Sequence, residues 1–215
     1  MEALERYIHE HTEPEEQLLQ ELDRETHRRM VAPRMLSGHL QGKLLKMLTR
    51  MMRPKRILEI GTFTGYSALS FAAGLEEDAY IDTIEVDDEL QSLAQSYFDR
   101  SEHGSKIRLH IGSALEIAPK LGTTYDLVFI DGDKREYPDY YRMLMGDAGN
   151  PPLVHSGSVL IADNILWSGK VVETLVARDR HTAALIEFNR MVLEDERVEN
   201  VIVPIRDGLN LIRIK

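Results

Sequence analysis

Side chains that could hold a metal ion stand at the ends of two apolar runs. Asp131 ends the run LVFID, and Asp163 with Asn164 ends the run VLIADN. Two carboxylates and one amide, without His or Cys, form a hard-oxygen set that suits magnesium or calcium better than zinc. Taken alone, the pair Asp163 and Asn164 would more simply cap the next segment. Together with Asp131, the pattern favours a metal site.

A lysine follows the first of these carboxylates by three residues, in the sequence DGDK that ends at Lys134. Most lysines are solvated surface residues. A lysine held beside a metal ion would lose its proton more easily, because nearby positive charge disfavours the ammonium form. Lys134 is therefore a candidate general base.

The stretch ILEIGTFTGYS at residues 57–67 predicts a buried parallel strand that turns directly into a helix. Gly61 and Gly65 allow a tight bend and a close approach of a ligand to the main chain. A dinucleotide site would use Gly-x-Gly-x-x-Gly. Here the spacing is Gly-x-x-x-Gly after Glu59, and a carboxylate there suits a cationic ligand. An ordinary glycine turn in an α/β sheet is the alternative.

A second acidic position fits the same ligand. Glu85 lies 24 positions after Gly61, close to the spacing of about 20 at which an acid on the second strand reaches ribose hydroxyls. Asp87 and Asp88 fit the start of the following helix better. Glu85 is therefore a predicted ribose ligand.

From residue 56 onward, strand and helix signals alternate, which predicts a mostly parallel sheet covered on both faces. Two runs flanking Arg206-Asp-Gly predict a terminal antiparallel hairpin. The predicted fold class is thus a Rossmann-like, doubly wound, seven-stranded α/β sheet with N-terminal helices. The predicted strands are 56–60, 80–85, 107–111, 127–131, 158–163, 198–204 and 209–214, and the helical patterns lie around 65–74, 88–101, 113–121, 136–145 and 181–194.

The N-terminal part of the sequence predicts helices that pack on this sheet. Thr12 is a predicted helix cap, with Pro14 in the first turn and Glu15 three residues after the cap. A second helix is predicted from Gly38 to before Pro54. We expect one domain over residues 1–215, with residues 1–53 forming the cap or interface and residues 54–215 the core.

Composition limits the function classes. The net charge of -10 works against a large phosphate-binding face, and the chain has no cysteine. No apolar run approaches about 18 residues, and the first residues are not a secretory signal, so we expect a cytoplasmic protein without a membrane partner. The eight histidines show no ligand spacing and receive no metal role. Trp167 could pack in the core or form a wall for an aromatic substrate.

Three motifs in order, LEIGTFTGYS, FIDGDK with Tyr137 and Tyr140, and IADNILW, resemble the cation-dependent O-methyltransferases. These include catechol O-methyltransferase and the plant caffeoyl-CoA enzymes with their bacterial relatives. The resemblance implies S-adenosylmethionine as the methyl donor and a divalent cation, with magnesium expected and calcium or manganese as alternatives. It also implies a small aromatic acceptor with two adjacent hydroxyls, and a homodimer.

The resemblance assigns roles by position. Asp131, Asp163 and Asn164 match metal ligands, and Lys134 with Asp131 matches the catalytic pair. The positions that match the donor-binding set are Met35, Ser37, Glu59, Gly61, Phe63, Gly65, Ser67, Glu85, Ala114, Asp131, Asp133 and Tyr140.

Two other functions remain open on the sequence. Some bacterial relatives methylate a hydroxylated uridine of transfer RNA, and a local basic face could serve this purpose; its residues would be Arg24, Arg28, Arg29 and Arg34. A non-catalytic module that binds the donor or a nucleotide is the second. It would bind the donor without turnover.

Overall fold

The computed structural model describes residues 3–215. One sheet contains strands β1 (Arg56–Ile60), β2 (Tyr80–Glu85), β3 (Ile107–Ile111), β4 (Tyr125–Ile130), β5 (Val154–Asp163), β6 (Val198–Val203) and β7 (Leu209–Ile214). Their order across the sheet is β3-β2-β1-β4-β5-β7-β6. All pairings are parallel except those of β7, which runs antiparallel to both β5 and β6. The predicted fold class is confirmed.

Helices cover both faces of this sheet. They are α1 (Ala3–Glu10), α2 (Gln17–Arg29), α3 (Gly38–Met52), α4 (Tyr66–Ala72), α5 (Gln91–Arg100), α6 (Ala114–Ile117), α7 (Tyr137–Met145) and α8 (Arg180–Glu194). The core beneath α2, α3, α4 and α5 is separate from the core beneath α6, α7 and α8. Strand β1 contributes side chains to both cores, since Ile57 belongs to the first core and Leu58 to the second. This two-sided burial explains why its sequence is an uninterrupted apolar run.

The N-terminal helices differ in part from the prediction. The helix expected to begin at Thr12 begins only after Glu16, and a separate α1 precedes it. Thr12 Oγ1 donates instead to the carbonyl of Ile8 at 2.7 Å, so it bonds to the last turn of α1 and caps no new helix. Helix α3 ends before Pro54 as predicted, with Arg53 in a left-handed conformation.

Leu22 of α2 and Leu45 of α3 are fully buried in the same core as Phe129 of β4. The N-terminal helices therefore share a core with the sheet. Among residues 3–215, no helix is both long and apolar enough to span a bilayer.

The strand order reverses between β1 and β4. From β1 the chain continues outward to β2 and β3, whereas β4 and β5 lie on the other side. In an open parallel sheet, a crevice forms beyond the carboxyl ends of the strands at such a point, and ligands bind there. The loops that follow β1, β2, β4 and β5 all open into this crevice.

Candidate active site

A cleft of about 990 Å³ lies at the reversal point of the sheet. All of the predicted site residues line it except Glu59 and Gly65. Those that line it are Met35, Ser37, Gly61, Phe63, Ser67, Glu85, Ala114, Asp131, Asp133, Lys134, Tyr140, Asp163 and Asn164. This volume is at the upper end of the range for small-molecule sites, so the cleft has room for more than one ligand.

The first glycine of the turn after β1 lets two strand ends approach each other. Gly61 has φ +97°, and a Cβ there would lie 2.5 Å from the backbone oxygen of Asp131. Its N–H donates to Ile84 at 2.9 Å, and the N–H of Asp131 donates to Ile60 at 2.8 Å. Only glycine fits this conformation and this spacing.

The second glycine has a packing role. Gly65 has φ +94°, and a Cβ there would lie 2.5 Å from the ring of Phe98. Gly65 thus allows α4 to begin against α5, which explains why it is absent from the cleft wall. Phe63, between the two glycines, lines the cleft with a left-handed backbone at φ 50°.

Glu85 holds the glycine turn in place. Its Oε2 accepts the N–H groups of Thr62 at 3.1 Å and Phe63 at 2.7 Å, and its Oε1 accepts the N–H of Asp87 at 2.9 Å. A carboxylate has about four acceptor positions. Three are used here, which leaves capacity for one ribose hydroxyl.

Glu59 lies beneath the cleft and has no exposed surface. Its Oε2 accepts the Thr83 hydroxyl at 2.5 Å, while its Oε1 has no hydrogen-bond partner among residues 3–215. Burial raises the pKa of Glu59 to about 8, and the hydroxyls of Ser67 and Thr83 oppose this rise. An unsatisfied buried oxygen is costly, so this atom is suited to a donor group supplied from the cleft side.

Lys134 and Asp131 form the central ion pair. Lys134 Nζ donates to Asp131 Oδ1 at 2.7 Å and to the Tyr137 hydroxyl at 2.9 Å. The Tyr137 hydroxyl in turn donates to the backbone oxygen of Asp163 at 2.8 Å. Burial raises the pKa of Asp131 to about 6; the Lys134 charge lowers it and the Asp163 charge raises it further. The two aspartates are therefore close enough to repel each other.

The second aspartate is held from two sides. Asp163 Oδ2 accepts the side-chain amide of Gln41 at 2.5 Å, and its Oδ1 accepts the backbone N–H of Asn164 at 2.7 Å. Asn164 adopts a left-handed backbone conformation at φ 60°. Such strain in a non-glycine residue is typical of functional positions.

The predicted metal ligands fit a divalent cation by their chemistry. They are all oxygen donors, they bring two negative charges, and the repulsion between Asp131 and Asp163 is one that a cation would relieve. In the part of the chain that the structure describes, no three His, Cys, Asp or Glu side chains cluster in a way that could hold a metal. Any site here therefore depends on the amide oxygen of Asn164 as its third protein ligand.

The remaining predicted donor-binding residues line the cleft around this centre. Met35 is largely exposed and Ser37 is buried, both in the strip that leads into α3. The Tyr140 hydroxyl donates to Glu136 at 2.6 Å, and Asp133 pairs with Arg135. Ala114 opens α6.

An aromatic wall formed by Trp167 and His181 lines part of the cleft. Trp167 stacks on His181, with ring centroids 5.8 Å apart and planes inclined by 17°. The loop that carries Trp167 is tied to the β6–β7 turn, since Asp207 accepts the N–H of Ser168 at 2.6 Å. Trp167 lines the cleft and also packs against the core beneath α6, α7 and α8, and its role as a wall for an aromatic substrate stays a prediction.

Sequence reasoning missed three cleft or supporting residues. His181 and Arg206 line the cleft, and Gln41 supports Asp163 from behind. No motif or spacing marks them, because each belongs to an element far in sequence from the residue that it contacts.

The chain matches a known protein family along most of its length. The profile of the O-methyltransferase family matches residues 9–215. The chain belongs to this family. The family predicted from the three motifs is confirmed, and the protein is an enzyme.

Similar proteins include caffeoyl-CoA O-methyltransferase 1 of Arabidopsis thaliana, which is 32% identical over 184 residues that cover 80% of this chain and 69% of the relative. Catechol O-methyltransferase domain-containing protein 1 of Mus musculus is 33% identical over 176 residues, covering 80% of this chain and 64% of the relative.

Among solved structures, the O-methyltransferase TomG of Streptomyces achromogenes in complex with SAM superposes with a TM-score of 0.88 at 27% identity, with full coverage of both chains. The SAH-bound methyltransferase PaMTH1 of Podospora anserina superposes with a TM-score of 0.87 at 26% identity, covering 99% of this chain and 94% of that one.

Proposed function

We propose that this O-methyltransferase transfers a methyl group from S-adenosylmethionine to one hydroxyl of a small aromatic vicinal diol, with the help of a divalent cation. The observation that carries the proposal is the meeting of Asp131, Lys134 and Asp163 in the cleft that also contains the glycine turn. The solved relatives that contain SAM or SAH support the choice of donor.

The donor would lie along the turn after β1. Its sulfonium and ammonium groups are cationic, and two carboxyl groups lie near the turn, Glu85 and Glu59. Burial raises the pKa of Glu59 to about 8, and a bound cation would favour its ionised form. Glu85 would accept a ribose hydroxyl with its remaining acceptor position. Ala114, at the start of α6, would place backbone atoms against the adenine.

The acceptor would lie between this donor and the aromatic wall. A phenol ionises near pH 10, and a divalent cation would supply positive charge that favours the phenolate. Asp131, Asp163 and Asn164 would hold that cation. Magnesium suits this hard-oxygen set, with calcium or manganese as alternatives.

Lys134 in its neutral form would collect the proton that the hydroxyl releases, and a divalent cation held beside it would favour that form over the ammonium. Its Nζ is held by Asp131 and by the Tyr137 hydroxyl, so the position of the base is fixed before the acceptor arrives. In the transfer, the acceptor oxygen forms a bond to the methyl carbon and the bond from that carbon to sulfur breaks. The products are the methyl ether, S-adenosylhomocysteine and the proton taken up at Nζ.

Labelled S-adenosylmethionine tests the proposal directly. We would incubate the protein with catechols, hydroxycinnamates and flavonoids, with magnesium and with excess EDTA. Asp163→Ala and Asn164→Ala should lose most of the activity and, in isothermal titration, most of the magnesium binding. Asp139→Ala is the matched control, because Asp139 is exposed and pairs with Arg142. Full activity in EDTA, or in both site variants, would refute the metal role.

Transfer RNA remains the alternative acceptor. Of the four arginines considered, Arg29 and Arg34 line the cleft, and Arg29 is already paired with Glu25 at 2.6 Å. Bulk transfer RNA should therefore be included in the same assay. Salt-sensitive RNA binding with methylation of a uridine would favour this acceptor over a catechol.

The single-domain organisation, the cytoplasmic location and the homodimer stay predictions. Light scattering of the purified chain gives its mass in solution and checks the dimer.

A further inference from the structure

Charged side chains of both signs line the cleft. The negative ones include Glu85, Asp87 and Glu89, where the donor would lie, and Asp131 and Asp163 at the predicted metal site. Arg206 adds a positive charge from the turn between β6 and β7. Such a positive group in a cleft discriminates between ligands by their charge.

Arg206 lines the cleft from a turn that is held on two sides. The neighbouring Asp207 accepts the N–H of Ser168 with its side chain and the N–H of Leu166 with its backbone oxygen at 3.0 Å. The turn that carries Arg206 is therefore bonded to the loop that carries Trp167. On its other side, the guanidinium donates from Nη1 to the backbone oxygen of Leu36 at 2.9 Å.

The charge of Arg206 is not neutralised by a carboxylate in direct contact. Among the ion pairs of residues 3–215, none includes Arg206. Its hydrogen-bond partner within residues 3–215 is the carbonyl of Leu36, and a guanidinium has five N–H donors. Asp131 and Asp163 have other direct partners, Lys134 and Gln41, although the charge of Arg206 still lowers the pKa of Asp131.

The backbone at Arg206 is unfavourable for its side chain. Its φ is 50°, a left-handed conformation that favours glycine. Tight turns commonly use glycine at such positions, so an arginine here keeps a cost of about 1 kcal/mol that glycine would avoid. Strain of this kind is a reason to look for a role of the side chain.

We propose that Arg206 forms an anion subsite, and that the preferred acceptor is an aromatic vicinal diol carrying a carboxylate. The guanidinium would pair with that carboxylate while the ring lies along Trp167 and the two hydroxyls face Asp131 and Asp163. Arg34 lines the same cleft, is exposed, and has no ion-pair partner within residues 3–215. It therefore adds positive potential at the mouth of the cleft. This inference rests on the proposed function.

Two acceptors that differ only in charge provide the test: caffeate and its methyl ester. For the wild type we expect kcat/KM to be about tenfold or more higher for caffeate, as charge-assisted hydrogen bonds are strong. Arg206→Gly should reduce that ratio to near one. Glycine suits the observed φ, so this variant should fold, and thermal unfolding verifies it. Arg206→Lys should keep part of the preference.

Arg213→Gln is the control, because Arg213 lies on the same hairpin and pairs with Glu199 outside the cleft. It should keep the wild-type ratio. Because kcat/KM is compared between two acceptors of the same variant, any general effect on donor binding cancels in the ratio. If Arg206→Gly lowers kcat/KM equally for both acceptors, Arg206 serves only to hold the backbone at Leu36, and the anion subsite is refuted. Equal rates for both acceptors in the wild type would refute it as well.

Titration calorimetry of caffeate and its ester separates this inference from the proposed function. If neither compound is methylated, the proposed function fails. Binding of caffeate that is weakened about tenfold by Arg206→Gly, but not by Arg213→Gln, would still support the anion subsite. Caffeate binding that is equal in both variants would overturn it.

Discussion

The side-chain amide of Gln41 donates to Asp163 at 2.5 Å, although 122 positions separate the two residues. Gln41 is 1% exposed, and its Oε1 has no partner within residues 3–215. Helix α3 thus orients a carboxylate that the sequence assigns to metal binding. Groups that orient metal ligands from behind are nearly as important as the ligands themselves.

Gln41→Leu should remove this orientation while preserving the volume of the side chain. We expect the magnesium concentration for half-maximal activity to rise about tenfold or more. The free energy of unfolding should also fall, by about 1–3 kcal/mol, because Asp163 Oδ2 is left buried without its donor. A magnesium titration of activity measures the effect, and Gln95→Leu, at an exposed pair with Asp99, is the control. An unchanged magnesium requirement would contradict the role given to Gln41.

Lys134→Ala should lower kcat by about 100-fold or more, the contribution typical of a general base. Lys134→Arg should not restore the rate, because a guanidinium stays protonated. Single-turnover assays with a catechol acceptor separate this chemical step from product release. Lys120→Ala, at an exposed position, should behave as wild type. If kcat of Lys134→Ala stays within a factor of about two of wild type, Lys134 is not the general base.

Glu59 should make stability depend on pH. Its folded pKa of about 8 lies above its unfolded value of 4.5, so the folded state binds the additional proton. The free energy of unfolding should therefore fall as pH rises through this window, and level off above about 8. Asp131 acts in the same direction but only up to about 6. The interval between about 6 and 8 thus reports on Glu59.

Glu59→Gln should flatten the stability profile in that interval. One pKa unit corresponds to about 1.4 kcal/mol, so the slope from Glu59 amounts to a loss on the order of 2 kcal/mol between pH 6 and 8. Denaturant unfolding at several pH values measures it. A wild-type profile that rises with pH across this interval would show that the Glu59 carboxyl is ionised in the folded protein.

Gly61→Ala and Gly157→Ala separate backbone strain from steric contact. Both glycines have φ above +90°, but a Cβ at Gly157 meets no atom within 4 Å, whereas one at Gly61 meets Asp131 at 2.5 Å. Gly157→Ala should cost about 1 kcal/mol. Gly61→Ala should cost clearly more and also lower activity, because the strand end that carries Asp131 must move. Equal costs for the two variants, measured by denaturant unfolding, would contradict the steric argument.

Leu22→Ala tests whether the N-terminal helices and the sheet unfold as one domain. Leu22 is fully buried in the core that includes Phe129, and its truncation should cost about 2–5 kcal/mol. If residues 1–215 form one domain, far-ultraviolet circular dichroism and Trp167 fluorescence should shift together. Leu4→Ala, at a side chain that is 69% exposed, is the control. Two separate transitions would show that residues 1–53 unfold independently.

Several site residues could be placed from the sequence because their positions depend on local patterns. The run before Asp131 and the run before Asp163 are buried strands, and parallel neighbouring strands bring their carboxyl ends to one edge. The same logic placed Gly61 and Glu85 at the ends of β1 and β2. Even so, the structure gives Glu85 three backbone N–H bonds, which no spacing could reveal.

The sequence by itself determined the alternating strands and helices, the glycine turn and the acidic strand ends, because periodicity and turn chemistry act over a few residues. Only the tertiary structure decided that Gln41 supports Asp163, that Trp167 stacks on His181, and that Arg206 lies 170 positions from the Leu36 carbonyl that it contacts. The physical reason is that such contacts arise when separately formed elements pack together. Their partners are selected by the shape and burial of the assembled fold, which no local pattern encodes.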